Sequence, residues 1–183
     1  IVEPGIVLDE LNRFLKPFGL WFPVDVSTSS RATIGGMVGN NSCGGRSIRY
    51  GMMRDNVIDI EAILYDGSIY NFGNMNSNHI DSSKSSAYEI IKKLQELAET
   101  NKKEILSKFP KVLRRVGGYN IDALLPDAMA NRPNGKVGDG INLSHLLVGS
   151  EGTLAYSTAI TLKLSPLPSK KIMGVCHFPS FYE

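Results

Sequence analysis

The sequence predicts an α+β fold: an antiparallel-rich sheet flanked by helices. Three observations carry this expectation. Strand-like and helix-like segments mix without regular strand–helix–strand alternation, which disfavours a doubly wound parallel sheet. An Asp66-Gly67 pair sits between two segments of strand character, a strong hairpin signal. Two segments carry apolar residues at helical spacing, and each supplies one face to cover a sheet.

In chain order, Ile1 to Glu3 reads as a strand end, and Pro4-Gly5 as the turn after it. Val7, Leu8, Leu11, Phe14 and Leu15 recur at spacings of three and four, so a helix is expected from Ile6 to Phe18, closed by Pro17 and Gly19. Leu20 to Pro23 reads as an aromatic loop, and Asp25 to Thr33 as a polar stretch. A helix begins near Thr33. Asn56 to Tyr65 alternates as a strand, with Ile58, Ile60, Ala62 and Leu64 on one face and Asp59 and Glu61 on the other. Ser68 to Phe72 is the return strand, and Asn74 to Lys84 a polar loop. Ala87, Ile90, Ile91, Leu94, Leu97 and Ala98 mark an amphipathic helix from Ala87 to Glu99. Asn131 to Gly140 is rich in Gly, Pro and Asn and reads as a loop. A short helix over Asn142 to Val148, a turn over Gly149 to Thr153 and a strand over Leu154 to Leu164 complete the chain, with Pro166 and Pro168 as stops.

Composition narrows the class. With 183 residues, the chain can bury one core of ordinary size, and its 42% hydrophobic and 21% charged residues are those of a soluble globular protein. A net charge of +2 gives no ground for a nucleic-acid partner. No apolar run approaches the roughly 20 residues of a membrane span. Cys43 and Cys176 stand far apart without metal-ligand spacing, which fits a reduced, cytoplasmic setting. The apolar opening from Ile1 and the aromatic close at Phe178 to Tyr182 suggest a piece of a longer polypeptide.

The segment from Ala32 to Gly45 is the most informative. It packs glycines and small hydrogen-bonding residues around a short apolar patch. Gly35 and Gly36 let another backbone or a ligand come close, since no Cβ intervenes. The Thr33 hydroxyl and the free N–H groups of a helix start would suit a phosphate of a dinucleotide, while Asn40, Asn41 and Ser42 would meet a flat polar ligand. Close helix packing explains the same glycines equally well. The run is not the G-x-G-x-x-G dinucleotide fingerprint. A second segment, Gly149-Ser150-Glu151-Gly152-Thr153-Leu154, places bare backbone at a turn entering a strand; taken alone, it reads as an ordinary turn.

Several pieces, taken together and in order, resemble a known family. They are Val2-Glu3-Pro4-Gly5, Thr33-Ile34-Gly35-Gly36 with Asn40-Asn41, Arg49-Tyr50-Gly51 with Asp55-Asn56-Val57, Asp66-Gly67, and Val148 to Leu154. They are similar to the FAD-binding domain of the vanillyl-alcohol-oxidase type, in the branch of FAD-linked oxidases acting on D-lactate, glycolate and D-2-hydroxyglutarate. Asn40 to Gly51 and Gly118-Tyr119-Asn120-Ile121-Asp122 further resemble large bacterial proteins that fuse this flavin domain to an iron–sulfur domain.

The resemblance implies the second of two FAD subdomains, with residues 1–183 a single partial FAD-binding domain. The first FAD subdomain would precede Ile1, and the substrate domain would follow Glu183. It implies FAD contacts, mostly through backbone, at Thr33, Ile34, Gly35, Gly36, Asn40, Asn41, Ser42, Gly44, Gly149, Glu151, Gly152 and Leu154. Glu151 is expected to be a structural cap rather than a base. The implied parent is a flavin-dependent oxidoreductase that oxidises a D-2-hydroxy acid and passes electrons to an iron–sulfur domain or a quinone. Peripheral contact with the inner membrane face is the associated expectation. No catalytic base or metal ligand is expected here, and His79, His145 and His177 read as surface or capping residues. Arg46 and Arg49 could meet a substrate carboxylate, but more often such arginines hold a loop. Tyr119 is a candidate for either the cofactor or the core, Cys43 reads as a small buried thiol, and the basic stretch from Lys102 to Arg115 as a solvated helical face. The rivals are a flavoenzyme for another alcohol and a non-catalytic module with a degenerate flavin site.

Overall fold

The computed structural model describes residues 1–74, 86–125, 141–170 and 172–181. The expected loop from Asn131 to Gly140, His79 and nearly all of the expected loop from Asn74 to Lys84 lie outside them. The described residues form an α+β unit whose strand pairings are all antiparallel. The helices are α1 (Leu8–Leu15), α2 (Ile34–Asn40), α3 (Ser47–Tyr50), α4 (Met53–Asn56), α5 (Ser86–Thr100), α6 (Lys102–Lys108) and α7 (Ser144–Leu147). The strands are β1 (Leu20–Trp21), β2 (Val57–Ile63), β3 (Ile69–Phe72), β4 (Tyr156–Leu162) and β5 (Ser165–Pro166). β2 is central, between β3 and β4; β1 and β5 pair separately.

The hairpin forms where Asp66-Gly67 predicts it. Gly67 takes φ +81°, the Leu64 amide donates to Ser68 O, and the Asp66 carboxylate accepts from the Ser68 amide. On β2, Ile60 and Ala62 are fully buried, but Ile58 is exposed. The reason is a register shift: Val57 faces Leu162 and Asp59 faces Thr161, so Ile58 is the extra residue of a bulge. Ile60, Ala62, Phe72 and Ile160 from the sheet share one core with Leu8, Leu11 and Leu15 of α1 and Leu146 and Leu147 of α7. Two expected stripe members escape it. Phe14 turns outward against Phe18, and Leu97 of α5 is half exposed while Ile91 and Ala98 are buried.

The expected aromatic loop is instead β1. Leu20 and Trp21 pair with Pro166 and Ser165, and the Trp21 indole donates to Pro166 O at 3.1 Å. Pro166 therefore does not only stop a strand: it forms an edge, where a missing N–H costs nothing. The N-terminal residues stitch sheet to helix. Val2 exchanges two 2.9 Å bonds with Ile160 on β4, and Pro4 O and Ile6 O accept from Gly35 and Ile34 at the start of α2.

Thr33 caps α2 with extended backbone, its hydroxyl accepting from the Gly36 amide at 3.3 Å. Thr33→Ala is expected to destabilise the fold by about 1 kcal/mol in urea unfolding, the usual cost of a lost cap.

Candidate cofactor site

The two glycine-rich segments meet in space. The 149–153 turn sits on the C-terminal half of α2: the Gly149 amide donates to Val38 O and the Glu151 amide to Gly39 O, both at 2.9 Å. Reaching both carbonyls requires a coiled turn, and Gly149, Glu151 and Gly152 all have positive φ. The Asn40 side chain donates to the Glu151 carboxylate at 3.1 Å. Glu151 thus holds the junction together, the structural role that the sequence suggested for it.

Two cavities border these segments. The first, of about 630 Å³, is lined by Thr33, Gly35, Gly36, Gly152 and Leu154, with Tyr65 and Tyr156 among its apolar walls. The second, of about 690 Å³, is lined by Asn40, Ser42, Cys43 and Gly44 with Asp25 and Val116. Eight of the twelve expected contact residues therefore border one cavity or the other. Gly149 and Glu151 line neither cavity and join the turn to α2. Ile34 and Asn41 are fully buried. Ile34 is a core residue, and both ends of the Asn41 amide are engaged by protein, with Arg54 N and Arg115 O.

The α2 start does not offer the free amides expected from the sequence. Ile34 N–H goes to Ile6 O, Gly35 N–H to Pro4 O and Gly36 N–H to the Thr33 hydroxyl. The glycines divide accordingly. A Cβ on Gly35 would stand 2.6 Å from the Pro4 Cβ, and one on Gly44 would stand 1.9 Å from Asp25 O, so those two glycines serve close packing. A Cβ on Gly36 would meet only the Thr33 hydroxyl, at 3.2 Å, and one on Gly152 nothing within 4 Å. Gly36 and Gly152 are bare backbone facing the first cavity. This is the form a ligand-approach glycine takes, and it fits a large flat cofactor such as FAD.

Beneath the junction lies a polar cluster that sequence reading missed. Arg115, expected in a solvated helix, lies beyond α6 in extended chain. Its guanidinium pairs with Asp122 at 2.6 Å, with both side chains about one-tenth exposed, and covers the Phe109 ring. Asn120 is buried beside it. The sequence marked Gly118 to Asp122 only as a family-like segment, with nothing to pair Arg115 with it. Arg46 lies over the Trp21 ring and so ties the 44–51 loop to β1, while Arg49 lies over its neighbour Tyr50. Asp55 and Asn56 secure the same loop through Met52 N and the Tyr50 and Met52 carbonyls. Cys43 lines the second cavity instead of being buried, and His145 is buried in α7 instead of lying at the surface; His177 is exposed. Among the described residues, no group of three or more His, Cys, Asp or Glu could hold a metal ion.

The profile of the FAD binding domain family matches residues 1–73. Over residues 1–73 the chain is similar to this family. The chain is 31% identical over 183 residues to a D-2-hydroxyglutarate dehydrogenase of Escherichia coli, covering 98% of this chain and 17% of that protein. It is 31% identical over 179 residues to a probable mitochondrial D-lactate dehydrogenase of Danio rerio, covering 98% of this chain and 24% of the relative. A glycolate oxidase subunit, GlcD, of Bacillus subtilis is 28% identical, over 93% of this chain and 24% of its own length. The chain thus spans less than a third of each of these relatives. In fold, it is similar to an alkyldihydroxyacetonephosphate synthase at a TM-score of 0.51 and 18% identity, over 92% of this chain and 21% of that one.

Proposed function

We propose that this chain is the flavin-holding part of an FAD-dependent oxidoreductase that oxidises the hydroxyl-bearing carbon of a D-2-hydroxy acid, such as D-lactate or D-2-hydroxyglutarate. The observation that carries this reading is the docking of the 149–153 turn on α2, which turns the bare backbone of Gly36 and Gly152 toward one cavity. The FAD binding domain match and the names of the relatives support it.

When bound, FAD supplies the electron-pair acceptor for oxidation of an alcohol carbon. The residues of this chain bind and orient. Gly36 and Gly152 admit the cofactor to van der Waals distance of the backbone. Leu154, Tyr65 and Tyr156 offer apolar surface to a ring, and Asn40, Ser42 and the 43–45 backbone offer polar contacts in the second cavity. The twelve residues named from the resemblance then form the cradle in two tiers: eight at the cavities, with Gly149 and Glu151 joining the turn to α2 and the buried Ile34 and Asn41 supporting them. No base is assigned to this chain. The same reading places residues 1–183 in one partial FAD-binding domain. It leaves the remainder of the cradle, substrate recognition and the electron acceptor, an iron–sulfur domain or a quinone, to the length of the relatives that this chain does not span. Among the described residues, no helix is long and apolar enough to cross a membrane. The resemblance implies a cytoplasmic enzyme in peripheral contact with the inner membrane face.

The test is the visible spectrum of the full-length protein without oxygen. Adding D-lactate or D-2-hydroxyglutarate is expected to bleach a flavin band. A stable band with both acids would keep the cofactor and remove the substrate class. A folded protein that takes up no FAD would overturn the reading entirely.

A further inference from the structure

We propose that residues 114–122 are a clamp that sets the 149–153 turn against α2, with Asn120 as its positioning residue; the importance of that turn rests on the cofactor reading above. Asn120 is 2% exposed, and its amide is used at both ends. Its oxygen accepts from Arg54 Nη1 at 2.7 Å and from Arg115 Nη2 at 3.0 Å, while its Nδ2 donates to Val148 O at 2.7 Å. Charge fixes this orientation. Guanidinium groups only donate, so they must meet the oxygen, and the NH₂ is thereby directed at Val148, the residue before the turn. The next contact comes from the neighbouring residue. The Tyr119 hydroxyl lies 2.8 Å from the Thr153 hydroxyl, whose own hydrogen goes to Ser150 O at 2.6 Å, so Tyr119 is the donor.

Consecutive residues of one segment therefore hold both ends of the turn, while α2 holds its middle through Gly149 and Glu151. The other end of the segment reaches the second cavity. Val116 lines it, Arg114 Nη1 lies 3.4 Å from Gly44 O, and Arg115 O accepts from Asn41 Nδ2 at 3.2 Å. One strap thus borders the second cavity and holds, through Asn120 and Tyr119, the turn whose Gly152 and Thr153 line the first.

Asn120→Asp isolates the link. It keeps the volume and both guanidinium bonds, but sets a carboxylate oxygen against Val148 O with no hydrogen between them. Tyr119→Phe removes only the hydroxyl of a half-exposed ring, so folding is not at stake. Amide hydrogen exchange in the full-length protein reads both variants. In Asn120→Asp, the Gly149 and Glu151 amides are expected to exchange about tenfold faster, with the β2 ladder unchanged, and FAD to bind about tenfold more weakly. In Tyr119→Phe, faster exchange is expected at Thr153. Should Asn120→Asp fail to fold, the Tyr119→Phe result decides. Faster exchange with unaltered FAD binding would keep the clamp and overturn the cofactor role of the turn. Unaltered exchange across 149–153 would overturn the clamp, whatever the flavin does.

Discussion

Gly36→Val is expected to leave the protein folded and remove its flavin. Position 36 lies in the first turn of α2, exposed, and a new Cβ there meets only the Thr33 hydroxyl at 3.2 Å. Replacing Gly in a helix by a β-branched residue changes stability by no more than about 1 kcal/mol. The valine methyl groups project into the first cavity, where the backbone of Gly36 otherwise lies bare. Overpacking of that kind is expected to weaken FAD binding by about a hundredfold. The check is a pair of measurements on the full-length variant: the urea unfolding midpoint, expected near that of the unaltered protein, and flavin content after gel filtration, expected to be lost. Full flavin retention by a folded Gly36→Val protein would remove the first cavity from the site.

Gly44→Ala is expected to do the reverse. Its Cβ would lie 1.9 Å from Asp25 O and 2.3 Å from Asp25 Oδ1. Neither atom is free to retreat, because the Asp25 carboxylate accepts from Arg46 N and the Gly44 amide is held by the Ser47 hydroxyl. The 25–28 and 43–47 segments would have to separate. A cost of about 3 kcal/mol or more is expected, the upper range for a forced backbone shift, and it should appear as a lower urea midpoint even before flavin is considered. A stable Gly44→Ala protein would contradict the close packing of these two segments. The two glycines belong to one motif in sequence, yet one faces a cavity and the other packs against Asp25.

That distinction shows what the sequence carries and what it does not. Local signals were readable: the leucine stripe of α1, the helix start near Thr33, the Asp66-Gly67 turn and the short helix before Gly149 each depend on neighbours within a few residues. β1 was not, because its partner β5 lies more than 140 positions away and neither strand has a pattern of its own. The bulge at Ile58 follows from pairing with β4, so alternation alone placed Ile58 on the wrong face. The two glycine-rich segments stood out because glycine admits close backbone approach, and the structure brings them together through Gly149 and Glu151. The loss of the α2 amides to Pro4 and Ile6, and the burial of Arg115 and Asn120, are tertiary events with no periodicity to announce them.

The central claim is that α2 and the 149–153 turn together wall an FAD site. The most direct measurement is a crystal structure of the full-length protein with FAD bound. The cofactor is expected against Gly36, Gly152 and Leu154 in the first cavity and against Ser42 to Gly44 in the second. FAD bound away from both cavities, with Gly36 and Gly152 facing solvent, would contradict the account.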